Sequence, residues 1–203
     1  MLDNLTSKVF SAIKESKKGI ITLDLLNSLR LCSKDTLKTI LSRLNKAKKI
    51  LRLKRGIYAI VPLTDSFASA QAMYNGYLGF TTALYLHKLI SEIPFNIFVV
   101  TTDVSKSKKI GEYLFKAVAL KNKAIGFETK DDYVISTKAK TLFDCILLPN
   151  YSLEEDKLIN TFKEVRLTKK EWKEFDFYVH RFTNKKTKSK FLEMRKRIIG
   201  EKK

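Results

Sequence analysis

Residues Ser33 to Val61 constrain this chain most, because a helix with one apolar face runs there straight into a basic β-hairpin. Leu37, Ile40, Leu41, Leu44 and Ala47 recur at the helical period and bury one side. Lys34, Lys38, Ser42, Arg43 and Lys46 fall off that stripe and must meet solvent or a partner. Ile50 to Leu53 and Ile57 to Val61 then form two strand-like runs around Lys54-Arg55-Gly56, a turn with two cations at its tip. A helix that exposes cations and small hydroxyls ahead of a cationic hairpin is how a winged helix-turn-helix meets duplex DNA.

The residues upstream complete that pattern. Leu5, Val9, Phe10 and Ile13 supply the apolar face of a helix over 3–17, closed by Lys17-Lys18-Gly19. Ile20 and Ile21 give a very short strand. Thr22 then caps a second helix carrying Leu25, Leu26 and Leu29, and Ser33 caps the third, with Asp35 complementing the helix dipole in its first turn.

Charge is distributed in step with this reading. The net charge is +19 over 203 residues. Residues 1–62 hold 14 Lys and Arg against 4 Asp and Glu; residues 63–184 hold 17 against 15; the last 19 hold 9 against 2. A uniformly lysine-rich surface would not segregate to both ends in this way, so a polyanionic partner is expected. Cys32 and Cys145 match no metal-ligand spacing and read as two buried small hydrophobes rather than a disulfide, which fits a reducing cytoplasm. No run approaches the roughly 18 to 20 apolar residues of a membrane span, and no apolar signal sequence opens the chain, so neither membrane nor export is expected.

Pro62 and the small polar residues Thr64, Asp65, Ser66 and Ser69 mark a connection over 63–72. Beyond it the pattern mixes strands and helices. Gly76 to Leu89 reads as a turn and short helix; Ile97–Val100, Tyr113–Leu120, Ala124–Glu128 and Tyr133–Ile135 read as strands, the last after an Asp131-Asp132 turn. Lys138 to Leu148 is helical, and so is the chain from Leu153 onward, with breaks near Val165 to Thr168 and at Thr183-Asn184. The expected fold class is α+β. A winged helix-turn-helix domain occupies 1–66, and an α+β domain over 67–203 finishes in helices, the last of them basic and amphipathic.

Three segments in this order resemble the antitoxin family of abortive-infection type IV toxin–antitoxin systems and its transcriptional-regulator relatives. They are Arg55-Gly56-Ile57-Tyr58-Ala59, the stretch from Gly79 to Leu89, and Ile135 to Cys145, where Lys138 and Ala139 replace the family's usual Pro and Glu. The resemblance implies a regulator that binds operator DNA, typically its own promoter, through an N-terminal winged helix. It also implies a second domain with antitoxin activity against a nucleotidyltransferase-like toxin.

Enzymatic readings find less to work with. His87 and His180 have no ligand-spaced neighbours, and no phosphate-binding glycine loop occurs among seven glycines. One constellation supports an alternative. Asp103 after one strand, with Glu128 and Lys130 on another, could hold Mg²⁺ and position an attacking water in a nuclease. A third class is a protein-interaction module. Trp172, Phe175, Val179 and Phe182 step along one helix either as core or as a homodimer or docking seam.

The sequence therefore leads to a sequence-specific DNA-binding regulator, a repressor or antitoxin, without catalytic residues, metal or cofactor. Ser33, Lys34, Thr36, Lys38, Thr39, Ser42, Arg43 and Lys46 are the candidate groove and phosphate contacts of the third helix, and Lys54 and Arg55 those of the hairpin. Double-stranded DNA is the expected partner, with a toxin and a second copy of the chain as further ones.

Overall fold

The apolar spacing at the N-terminus produces helix α1 (Leu2–Lys14), with Val9 and Ile13 fully buried. A computed structural model describes residues 2–200, and the chain divides into two compact units, Met1–Met73 and Tyr74–Lys203. In the first, a single 3-10 turn at Lys17–Gly19 leads to β1 (Ile20–Thr22) and α2 (Leu23–Ser28). The Thr22 hydroxyl caps α2 by accepting the Leu25 amide at 3.1 Å. Ser33 caps α3 (Lys34–Lys46) in the same way through the Thr36 amide at 3.3 Å.

The strands β2 (Ile50–Lys54) and β3 (Ile57–Ile60) follow as an antiparallel hairpin. β1 adds to the other side of β3, giving the sheet order β1-β3-β2. Gly56 sits at φ +77° in the hairpin turn, a conformation open to glycine at little cost. Leu37, Ile40, Leu41 and Leu44 bury the inner side of α3 against Val9, Ile13, Ile21, Leu26 and Ile50. Burying each such side chain stabilises the unit by about 1.5–3 kcal/mol.

The stretch expected to be a polar connection is instead largely helical. α4 (Ser66–Met73) packs on β2 and β3 and carries the first unit through to Met73. Its alternating alanines have no amphipathic period, which hid it; its start is fixed by Asp65, whose carboxylate accepts the Ala68 amide at 2.8 Å.

The second unit is built on a six-stranded mixed sheet ordered β6-β7-β5-β4-β9-β8. The strands are β4 (Tyr77–Leu78), β5 (Asn96–Thr101), β6 (Lys106–Ile110), β7 (Tyr113–Ala119), β8 (Phe127–Lys130) and β9 (Tyr133–Ser136). β5 runs parallel to β7 and β4 parallel to β9; the remaining neighbours are antiparallel. β4 is too short to cover β5, so Thr82 on α5 (Phe80–Leu86) takes over, its hydroxyl accepting the Phe98 amide at 2.9 Å. Gly76 is required just before β4, because a Cβ there would lie 1.9 Å from the Val100 carbonyl oxygen.

Two strand expectations shift. Residues 121–123 form a 3-10 turn rather than leading into a strand at Ala124, and the strand begins at Phe127. β6 was not expected at all, since Lys106, Lys108 and Lys109 lack an apolar alternation; it is a charged edge strand.

Helices α6 (Lys138–Leu147), α7 (Glu155–Val165), α8 (Lys169–Phe182) and α9 (Lys185–Ile199) complete the unit. Their apolar sides meet Phe98, Val100 and Val118 of the sheet in one core. Phe175 and Val179 are buried in it, and Trp172 and Phe182 pack half-buried against it, so the aromatic stripe of α8 belongs to the core. No described helix is long and apolar enough to cross a membrane.

Candidate nucleic-acid interface

Helical periodicity places Lys34, Lys38, Ser42 and Asn45 along one exposed flank of α3. The hairpin brings Arg52, Arg55 and Tyr58 opposite them, and Asp24 of α2 closes the end. Together these residues line a cleft of about 580 Å³. Four cations face one carboxylate across it, which makes the cleft electropositive.

Two tethers hold the hairpin in this position. At its turn, the Gly56 carbonyl accepts the Leu23 amide at 2.7 Å, joining it to the start of α2. Along its strand, the Asn45 side-chain oxygen accepts the Arg52 amide at 3.0 Å, joining it to α3. Because β2 is the outer strand of its sheet, the Arg52 amide would otherwise have only water as a partner.

The residues singled out from the sequence separate into groups. Lys34, Lys38, Ser42 and Arg55 line the cleft. Thr36, Thr39, Arg43 and Lys46 occupy the other flank of α3, Thr36 half-buried and the rest exposed. Ser33 and Thr36 are engaged with each other, their hydroxyl oxygens 2.9 Å apart, and the Thr39 hydroxyl donates to the Asp35 carbonyl at 3.0 Å. Ser42 is exposed and, among the described residues, has no such bond. Lys54 is half-buried beside the turn rather than in the cleft lining. Lys38 lies 3.0 Å from Asp35, but both side chains are well exposed and such a pair holds the ammonium weakly.

Asn45, Arg52 and Asp24 escaped the sequence reading. The signal for Asn45 was present: it stands seven residues after Lys38 and three after Ser42, on the same helical flank.

In the second unit, Asp103 lies just past β5, whereas Glu128 and Lys130 are on β8 at the sheet edge. β4 and β9 intervene, and at the usual spacing that separates β5 from β8 by about 14 Å. The sheet therefore does not bring these three residues together. Among the described residues no group of three or more His, Cys, Asp or Glu could hold a metal ion.

Two buried polar groups stand out there. Lys140 and Asp144, one turn apart on α6, have no solvent exposure, and the ammonium donates to the Asp144 carboxylate. The rings of Tyr77, Phe143 and Tyr178 surround Lys140 at 5.4–5.9 Å. Burial pushes the Asp144 carboxyl up to about 6 and lowers the proton affinity of Lys140. His87 is also buried, its Nε2 donating to the Ser136 carbonyl at 2.7 Å, and burial favours its neutral form. Lys140 and Asp144 are sealed from solvent, and His87 is nearly so.

No protein-family model matches the chain, and a comparison with curated proteins likewise gives no match.

Proposed function

We propose that the protein is a sequence-specific DNA-binding transcriptional regulator of the cytoplasm whose first unit acts as a winged helix-turn-helix. In this reading α3 enters the major groove, and the β2–β3 turn lies along the adjacent backbone. The observation that carries it is the shared cleft: Lys34, Lys38 and Ser42 of α3 face Arg52 and Arg55 of the hairpin. Lysine and arginine neutralise phosphates, while the Ser42 hydroxyl and the side-chain amide hydrogens of Asn45 can reach base edges.

Fluorescence anisotropy with duplex from upstream of the protein's own gene tests this reading, with unrelated duplex as competitor. The double substitution Lys38→Ala/Arg55→Ala is expected to weaken binding at least tenfold, and wild-type affinity in that variant overturns the reading. The resemblance adds a regulatory role, autorepression together with neutralisation of a nucleotidyltransferase-like toxin. Co-expression with such an enzyme encoded beside it checks that role: growth rescue supports it, and continued toxicity removes it.

A further inference from the structure

Helix α9 carries more positive charge than its packing uses. Its two arginines at the C-terminal end are committed to neighbouring helices. Arg197 contacts Glu155 and Asp156 of α7 at 2.6 Å each, and Arg195 lies 3.4 Å from Asp176 of α8. The lysines are different. Lys185, Lys186, Lys190 and Lys196 are exposed, and among the described residues none has a carboxylate within ion-pair distance. Lys188 donates to His180 Nδ1 at 3.0 Å, which draws the end of α8 into the same corner, and the Arg181 guanidinium stands 5.6 Å from the exposed Phe177 ring.

From Phe177 to Leu192 the sequence contains no acidic residue. Folding does not ask for this charge. Phe191, Met194 and Ile198 complete the buried side of α9, and Asn184 with Thr187 forms its capping box. Three lysines in the first turns oppose the helix dipole, and Lys186 and Lys190 repel across one turn, so the cluster works against helix stability.

We propose that the α8–α9 corner is a second binding surface, sequence-independent, for the phosphate backbone of duplex DNA. Flexible lysine side chains are point charges without the planar fork that selects individual carboxylates. They suit a uniform line of charge, and a duplex presents one phosphate per about 1.7 Å of its axis. The choice of duplex DNA over other polyanions rests on the reading of the first unit. Two phosphate-binding surfaces in one chain would strengthen binding through effective concentration.

The test uses the full-length chain and a random-sequence duplex titrated over a range of salt. Lys185→Ala/Lys186→Ala/Lys190→Ala is expected to flatten the slope of log K against log salt by about 2–3, alike for every sequence. The corresponding triple arginine variant keeps the slope, which separates charge loss from misfolding. An unchanged slope in the alanine variant overturns the proposal, and so does poly-glutamate competing as well as duplex. In the Lys38→Ala/Arg55→Ala background, residual random-sequence binding that disappears with the corner lysines supports it. Should the cleft variant lose nothing while the corner variant loses binding, the reading of the first unit fails and the corner stands.

Discussion

Asn45 of α3 and Arg52 of β2 are joined by a single hydrogen bond of 3.0 Å, from the Arg52 amide to the Asn45 side-chain oxygen. It ties the outer strand of the hairpin to the flank of α3 that lines the cleft. Asn45→Ala removes the acceptor, with an expected loss of about 0.5–1.5 kcal/mol in urea denaturation and a hairpin free to drift from α3. Asn45→Asp keeps an acceptor at the same place and should retain stability, yet it adds a carboxylate to a cationic cleft and weakens DNA binding. If Asn45→Ala unfolds and binds like the wild type, this tether carries no weight.

The two flanks of α3 are expected to differ. Lys38 lines the cleft, whereas Arg43 and Lys46 face away from it. Lys38→Ala should therefore reduce affinity for a cognate duplex more than Arg43→Ala or Lys46→Ala, and Ser42→Ala should alter sequence preference. Equal effects from both flanks in a competition assay would mean that the cleft is not the contact surface.

Salt dependence gives a further measure. Neutralising about six to eight phosphates gives a slope of log K against log salt near −5 to −7. Replacing Lys54 and Arg55 by alanine should flatten that slope by about two and weaken every sequence alike. A double variant with the wild-type slope would place the hairpin tip away from the backbone.

The parts of the chain that were legible share one property: local chemistry and periodicity agree. Thr22 and Ser33 are capping residues placed just ahead of apolar periods, and both cap. Leu37, Ile40, Leu41 and Leu44 are buried as their spacing requires. What stayed hidden lacked such agreement. The alanines of α4 have helix propensity without a face, and the lysines of β6 belong to an edge strand whose pairing comes from β7. In the candidate site, the exposed cations were visible from the sequence, but their division between two flanks was not. That division depends on where the hairpin docks, and docking is set by the Asn45 and Gly56 contacts that join residues distant in the pattern.

The buried pair on α6 was obscured in another way. Leu142, Phe143 and Ile146 marked one inward face, yet α6 is buried nearly all round, which carries Lys140 and Asp144 inside as well. Each charge is tolerable only because the other is present. Lys140→Met leaves a buried carboxylate without its ammonium and is expected to cost about 3–5 kcal/mol near neutral pH. The sign of the pH dependence follows from burial. The Asp144 carboxyl is raised from 3.8 to about 6 in the folded chain, so the folded state holds that proton more tightly than the unfolded one. Its stabilising share is complete below the unfolded value and is lost as pH rises through the folded one. Without Lys140 the folded value moves higher still, so the Lys140→Met penalty should shrink on acidification and grow toward neutral pH. Asp144→Asn should behave in the opposite sense, its penalty shrinking as pH rises, because burial favours the neutral amine of the unpaired Lys140. The double variant Lys140→Met/Asp144→Leu removes both charges, and its thermal midpoint should recover most of the loss from either single change. Additive losses in the double variant would show that the two residues do not compensate each other.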